Sequence, residues 1–488
     1  MRAATANEAA AKASESPDAR PIPTRRNTEL ALVLFAFALG VGSYLLFYLN
    51  RELEFPATWP VAVGCWLALC LTSHFLVRKL VPYADPVLLP CVLLLNGLGL
   101  AMLNRLNYGA TTNPAVLQLS YTAVSIAAFG ALLRWLRDYR LMQRYTYILF
   151  FIGLGLLLMP LLPVIGKESG GARIWIEVFG RSFQPAEIAK IVLTLAFASY
   201  LSDHRELLQS AGRRLLGVTW PRIRDLGPIA VMWVVSLVVL VFQSDLGASL
   251  LFFGLFVVML YVATDQVAWP IVGMAGFSAA ALAAYLTVGK VRVRVESWLT
   301  PFTDVDQNYQ VIEGQFGFAW GGLTGRGIGM GSPTRVPLVD SDFISAAFGE
   351  ELGVVGLTAV IFIYVFIAMR GLRAALSARD WFGKLLATGL SFALALQVMT
   401  IIGGVTRLLP LTGLTTPFLS QGGSSLLANW LIIGVLLLIS HQGRAPIEER
   451  DAPIIVDLVD EKTVLLPTAA RLSGASATRA PRGSEVSG

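Results

Sequence analysis

Two aspartates, Asp304 and Asp306, stand in LTPFTDVDQNYQVIEGQ, a polar stretch at 299–315 of a chain that is apolar almost everywhere else. Arg292 and Arg294 lie shortly upstream. A carboxylate beside cations stays ionised and can take a proton from a hydroxyl, the work of a general base. Acidic loop residues are also often simply solvated, and residue types alone leave both readings open. Other polar groups interrupt the apolar runs. Glu187 and Lys190 in QPAEIAK share one helical face and are placed to pair. Such a pair either ties helices together or lines a polar cavity shared with a substrate head group. Asp245 in QSDLG poses the same choice, and Glu350 and Glu351 in FGEELG suit the start of a helix. The glycine run GGLTGRGIGMGSP at 321–333 has no strand before it and no phosphate-loop lysine after it, which argues against a nucleotide loop. Its glycines shape a turn, with Arg326 a candidate phosphate contact.

These groups must be positioned by a membrane bundle. Only 14% of the 488 residues are charged, against about 25% in soluble domains, and the mean hydropathy is +0.65. Apolar runs long enough to cross a bilayer recur along the chain. The formal charge of +6 is spread over loops between those runs, the pattern that orients a membrane protein rather than one that binds nucleic acid. Cys65, Cys70 and Cys91 fall in apolar stretches with no metal-ligand spacing, and the three histidines lie near the ends of apolar runs.

At about 20 apolar residues per crossing, the expected spans lie near 30–49, 59–77, 86–103, 115–133, 145–165, 187–202, 228–242, 246–263, 270–288, 343–369, 385–404 and 425–441. The fold class is therefore an all-α polytopic membrane protein of about twelve helices. Around VFQSDLGAS the sequence is consistent with one broken helix or with a turn between two. Lysine and arginine placement puts both termini in the cytoplasm and the long 289–342 loop outside. That loop carries enough aromatic residues to fold as a cap, partly re-entrant. Residues 1–28 and 443–488 read as disordered cytoplasmic tails.

Several stretches resemble, in matching order, the SEDS family of RodA, FtsW and SpoVE proteins: QPAEIAK, QSDLGAS, RVESWLTPFTDVDQNYQ, GGLTGRGIGMGS, SDFISAAFGEELGVVG and LLPLTGLTTPFLSQGGSSLLANW. The resemblance covers 86–442, a ten-helix core, so 29–85 supplies two extra N-terminal helices. GGVTRLLPLTGLTTP is most similar to the RodA branch, which serves elongation, rather than the FtsW branch, which serves division.

The resemblance implies a peptidoglycan glycosyltransferase that polymerises lipid II at the outer face of the bacterial plasma membrane. It also implies a class B penicillin-binding protein as transpeptidase partner, within the elongation complex. The family's catalytic aspartate maps to Asp304, three residues after Pro301, with Asp306 the rival because Val305 stands where a proline is usual. Other departures are GARIW, QPAE and Asp340, the last where a histidine is common. A lipid pyrophosphate departs without protonation, so one carboxylate base suffices and the reaction inverts. Charge on the departing pyrophosphate needs arginines or a divalent cation such as Mg or Mn. Arg173, Lys190, Arg292, Arg294 and Arg326 are the candidates, with Glu187 beside Lys190. A lipid II flippase would instead depend on Glu187, Lys190 and Asp245, and a scaffold for the transpeptidase on neither set.

Overall fold

The computed structural model describes residues 24–446, apart from 110–113, 164, 170–171, 179, 211, 216–217, 222–226 and 244, together with 454–457 and 463–466. The chain divides into two units, Thr24–Arg444 and the two terminal segments. Most of the expected tails lie outside the described residues. In the terminal unit, Ile454–Asp457 and Thr463–Leu466 pair as antiparallel strands.

The larger unit is a helical bundle. Helices α1 (Arg26–Asn50), α2 (Trp59–Leu80), α3 (Leu88–Leu106), α4 (Pro114–Trp135) and α5 (Thr146–Leu158) come first. They are followed by α6 (Pro185–Asp203), the short α7 (Arg205–Ser210), α8 (Gly227–Phe242), α9 (Leu246–Thr264) and α10 (Ala268–Thr287). Then come α11 (Gly289–Leu299), α12 (Tyr309–Gly321), α13 (Ile344–Ser377), α14 (Trp381–Val405) and α15 (Gly423–Arg444). In lipid a helix satisfies its own backbone, which is why apolar runs of this length adopt it.

Among the described residues, eleven helices are long and apolar enough to cross a membrane. The twelfth expected span, α8, is apolar but only 16 residues long. VFQSDLGAS separates two helices: α8 stops at Phe242, and the Asp245 carboxylate caps α9 by accepting the Ala248 amide at 2.9 Å. Sequence reading did not anticipate strands. Between α5 and α6, β1 (Gly166–Ser169), β2 (Ala172–Val178) and β3 (Arg181–Phe183) form an antiparallel sheet, with Lys167 opposite Trp175 and Ile176 opposite Phe183. A second hairpin joins β4 (Gly212–Leu215) to β5 (Val218–Pro221). All but β2 have three or four residues and leave little periodic signal in the sequence.

The most buried spans are α3, α6, α14 and α15; α10 has no buried residue in its apolar stretch. Helices associate in lipid by close packing of small residues rather than by hydrophobic exclusion. Gly40 of α1 meets Gly97 of α3 so closely that a Cβ at Gly40 would stand 3.2 Å from the Gly97 Cα. Helix α13 runs 34 residues but breaks at Gly353 (φ 70°, ψ −172°), a backbone state that favours glycine.

Buried charges bind the two N-terminal helices to the core. Glu29 of α1 is fully buried between Arg26 and His74, with His74 Nδ1 at 2.8 Å. Arg26 also donates to the carbonyls of Pro82 and Ala84, just before α3. Asp85, with no exposed surface, accepts from Arg370 of α13 at 3.3 Å and Arg444 of α15 at 3.0 Å. Removing one member of a buried pair strands the other and costs about 3–5 kcal/mol. Glu29→Ala is therefore expected to lower the thermal unfolding temperature of the purified protein markedly. Arg78→Ala, which loses an exposed 3.2 Å bond to Asn27 and leaves the hydrogen bonds of Glu29 in place, serves as the milder control.

Candidate active site

The stretch carrying Asp304 and Asp306 is a folded turn between α11 and α12. Thr300 ends α11, and Pro301 opens a short 3₁₀ turn with its fixed φ and missing N–H suited to that place. The side chain of Asn308 is buried and donates to the Pro301 carbonyl at 2.9 Å. Its amide donates to the Asp304 carbonyl at 3.1 Å. The Asp304 carboxylate accepts the Gln307 amide at 3.0 Å through Oδ1, and the side chain is exposed. One oxygen is thus held and the other is free to face solvent or a ligand. Asp306 is also exposed.

The turn is anchored to the segment after α14. Trp298 Nε1 donates to the Arg407 carbonyl at 2.9 Å, and Arg407 Nη2 returns a bond to the Trp298 carbonyl at 2.9 Å. Arg407 holds a left-handed backbone (φ 61°) at the end of α14, which glycine would adopt more readily. The guanidinium contacts offset that cost. Gln315 of α12 donates to the Val405 carbonyl at 2.7 Å, and Arg294 of α11 reaches the carbonyls of Leu411 and Thr412 at 3.5 and 3.4 Å.

The glycine run is stitched to the break in α13. Arg326 and Gly327 amides donate to the carbonyls of Glu350 and Glu351 at 3.0 and 2.9 Å, and the Val354 amide donates to the Gly322 carbonyl at 2.9 Å. The Glu351 carboxylate is fully buried, accepting Arg105 Nε at 2.9 Å and the Gly329 amide at 3.0 Å. Glu350 accepts the Ser332 amide at 2.7 Å. Asn50 and Arg51, at the end of α1, donate to the carbonyls of Ile328 and Gly329. Glu350 and Glu351 thus do not start a helix, as expected from FGEELG. They lie inside α13, whose first turn begins at Ile344, and they hold the glycine turn.

A second polar set is buried at the starts of α6 and α9. Lys190 donates to Glu187 at 2.9 Å and to Gln397 of α14 at 2.8 Å; all three are buried. Gln184 faces Asp245 at 3.5 Å, and Gln397 donates to the Thr415 carbonyl at 3.1 Å. The buried hydroxyls of Thr412, Thr415 and Thr416 in the neighbouring loop have no hydrogen-bond partner. Arg294 acts electrostatically on both Asp245 and Asp342, so it faces this set from the side of the 411–412 loop. Burial pushes the Asp342 carboxyl above its ordinary range, with the Ser341 hydrogen bond and Arg294 opposing.

The remaining candidates are placed differently. Arg173 lies exposed on β2, paired with Glu168 at 3.0 Å. Arg292 turns back on its own chain, donating to the Leu286 carbonyl at 3.2 Å. Arg326 is exposed, its guanidinium 4.6 Å from the Trp320 ring centre. Arg105, Gln397 and Arg407 were missed by sequence reading. Arg105 and Arg407 each left a trace, a base directly after an apolar span.

This architecture defines a polytopic membrane protein with a folded polar cap built on broken and glycine-rich helix ends. The chain belongs to the FtsW/RodA/SpoVE family, whose sequence model, described as "Cell cycle protein", matches residues 86–445. It is 47% identical over 438 residues to the Peptidoglycan glycosyltransferase RodA of Mycobacterium tuberculosis, covering 88% of this chain and 93% of that one. It is 32% identical over 337 residues to Stage V sporulation protein E of Bacillus subtilis, covering 67% and 87%. Among solved structures, Thermus thermophilus Rod shape determining protein RodA superposes with a TM-score of 0.51 at 25% identity, over 74% of this chain and 98% of that one. A chain from a peptidoglycan synthase complex, solved for the structural coordination of polymerization and crosslinking, matches with a TM-score of 0.59 at 26% identity, over 74% and 98%.

Arg407→Ala removes the guanidinium bonds to the Trp298 and Leu299 carbonyls while keeping the indole's backbone acceptor, and is expected to loosen the turn, raising hydrogen exchange at the Gln307 and Asn308 amides while distant spans stay protected. Asp342 gives a pH signature. In the folded chain its raised carboxyl keeps a proton that the unfolded chain has released near the ordinary value of about 3.9. Its favourable contribution is present below that value and lost as pH rises through the folded one. Asp342→Asn should flatten the fall of melting temperature over that window.

Proposed function

We propose that this chain is a peptidoglycan glycosyltransferase of the RodA type, polymerising lipid II into glycan strands for cell elongation and shape. The names of its relatives support the activity, and the higher identity to RodA proteins supports the elongation role over division. The observation that carries the mechanism is the Asp304 turn: an exposed carboxylate with one oxygen fixed by a backbone amide and the backbone beneath it held by buried Asn308. Asp304 takes the proton from the acceptor sugar hydroxyl as that oxygen attacks the anomeric carbon of the donor. The bond to the lipid pyrophosphate breaks and configuration inverts. The leaving group needs no acid, unlike the alkoxide of a glycosidase.

Arg294 is the best-supported counter-charge for the pyrophosphate, because the unpartnered Thr412 and Thr415 hydroxyls lie in the loop it contacts. Among the described residues no three His, Cys, Asp or Glu side chains are grouped to hold a metal. A divalent cation fits best as a partner of the pyrophosphate oxygens and one carboxylate, the usual way Mg²⁺ is held beside phosphates. It would supply charge neutralisation there. Lys190 and Glu187 are paired within the protein, which supports a structural role rather than a carrier site of the flippase kind. In this reading both termini are cytoplasmic and Asp304 faces outward, in keeping with the placement of lysines and arginines. The likeness to a synthase complex that coordinates polymerization with crosslinking supports a class B penicillin-binding protein as partner.

With purified lipid II and the partner transpeptidase, Asp304→Ala is expected to reduce glycan polymer at least ~100-fold, the scale of general-base catalysis, with unfolding temperature unchanged. Asp306→Ala should retain polymer. Loss in Asp306→Ala alone would move the base by two residues; normal polymer from both variants would overturn the mechanism.

A further inference from the structure

An open groove of about 570 Å³ lies outside the cap, between α2 and α4. Its floor forms where Leu76 packs on Gly130, a Cβ at which would stand 2.8 Å from the Leu76 Cδ1. Phe75 and Trp135, 58% and 81% exposed, form apolar walls. Lys79 and Arg134 line the groove from the last turns of the two helices. Both are exposed, and neither has an ion-pair partner among the described residues. Two unpaired cations over an apolar slot match the two parts of a phospholipid. A transmembrane helix, about 10 Å across, does not fit a slot closed at its floor by touching helices.

We infer that this groove is a binding site for an anionic phospholipid, its phosphate between Lys79 and Arg134 and an acyl chain along Phe75 and Leu76. Basic pockets between helices at the positively charged end of a membrane protein take such head groups, and a tryptophan at the head-group level marks the interface. The groove lies beside the Arg26, Arg78 and Asp85 contacts, at the base-rich end of the bundle. It exists only because α2, which precedes the matched family region, packs on α4 of the core.

The test reconstitutes the full chain in nanodiscs and measures immobilisation of spin-labelled phosphatidylglycerol against phosphatidylcholine. Wild type should favour phosphatidylglycerol. Lys79→Gln with Arg134→Gln should cut that preference by roughly fivefold for each side chain removed, without change in phosphatidylcholine contact, melting temperature or glycan polymerisation. Lys79→Arg with Arg134→Lys should restore it, separating charge from fold. Thr72→Trp, which fills the groove, should reduce immobilisation of both lipids. No preference in wild type, or one that survives the double glutamine variant, would overturn the site. So would a two-chain particle by mass whose formation abolishes the preference, since the groove would then seat a second copy.

Discussion

A carboxylate with no exposed surface, Glu351, holds together the polar end of this bundle. Its charge is balanced by Arg105 of α3 and its second oxygen by a glycine-turn amide. Arg105 also donates to the Gly331 carbonyl at 2.8 Å, so one ion pair fixes a helix, a break in another helix and the turn between. In a low-dielectric setting such a network is tight only if every member is satisfied. The glycines of the turn meet that demand by bringing backbone amides where side chains would collide. The end of α1, through Asn50 and Arg51, closes the same turn from the other side. The N-terminal helices thus touch the structure that supports the cap, as well as the opposite end of the core.

The candidate base depends on a different device. Asp304 is not on a helix, where its direction would follow the helix axis, but on a turn whose geometry Pro301 and Asn308 impose. Rigidity comes from buried neighbours while the carboxylate itself stays exposed. Arg407 extends that rigidity to α14, tying the turn to the loop that also contacts Arg294 and Gln397. The exposed acid and the buried polar set are therefore linked through one loop.

Much of the bundle was legible from hydropathy, because a span's length is set by the bilayer and its backbone satisfies itself. The Glu187–Lys190 pair followed from helical spacing. The position of Asp304 was legible only through motif order; nothing in the local pattern separates it from Asp306, and the Asn308 bond that fixes its turn, though only seven residues long, depends on a side-chain direction that residue types do not give. The pairing of Arg105 was invisible because its partner lies 246 residues away. Glu350 and Glu351 were misplaced because the break at Gly353, not the helix start, gives them their work. In the α5–α6 connection β1 and β3 were too short to stand out beside β2, and the sixteen residues of α8 mimic a full crossing in composition while falling short in length.

The interruption at Gly353 has a mechanical side. Residues 354–377 extend about 36 Å at 1.5 Å per residue, enough to traverse hydrocarbon about 30 Å thick with modest tilt. The stub at 344–352 is bound instead to the glycine turn and α12. A continuous rod would transmit every change of slope, imposed by a thicker or thinner bilayer, straight into the cap. Broken at Gly353, the long arm leaves the cap on its own slope, while the Val354 and Val355 amides at its foot stay clamped, with the stub, to the Gly322 and Leu323 carbonyls.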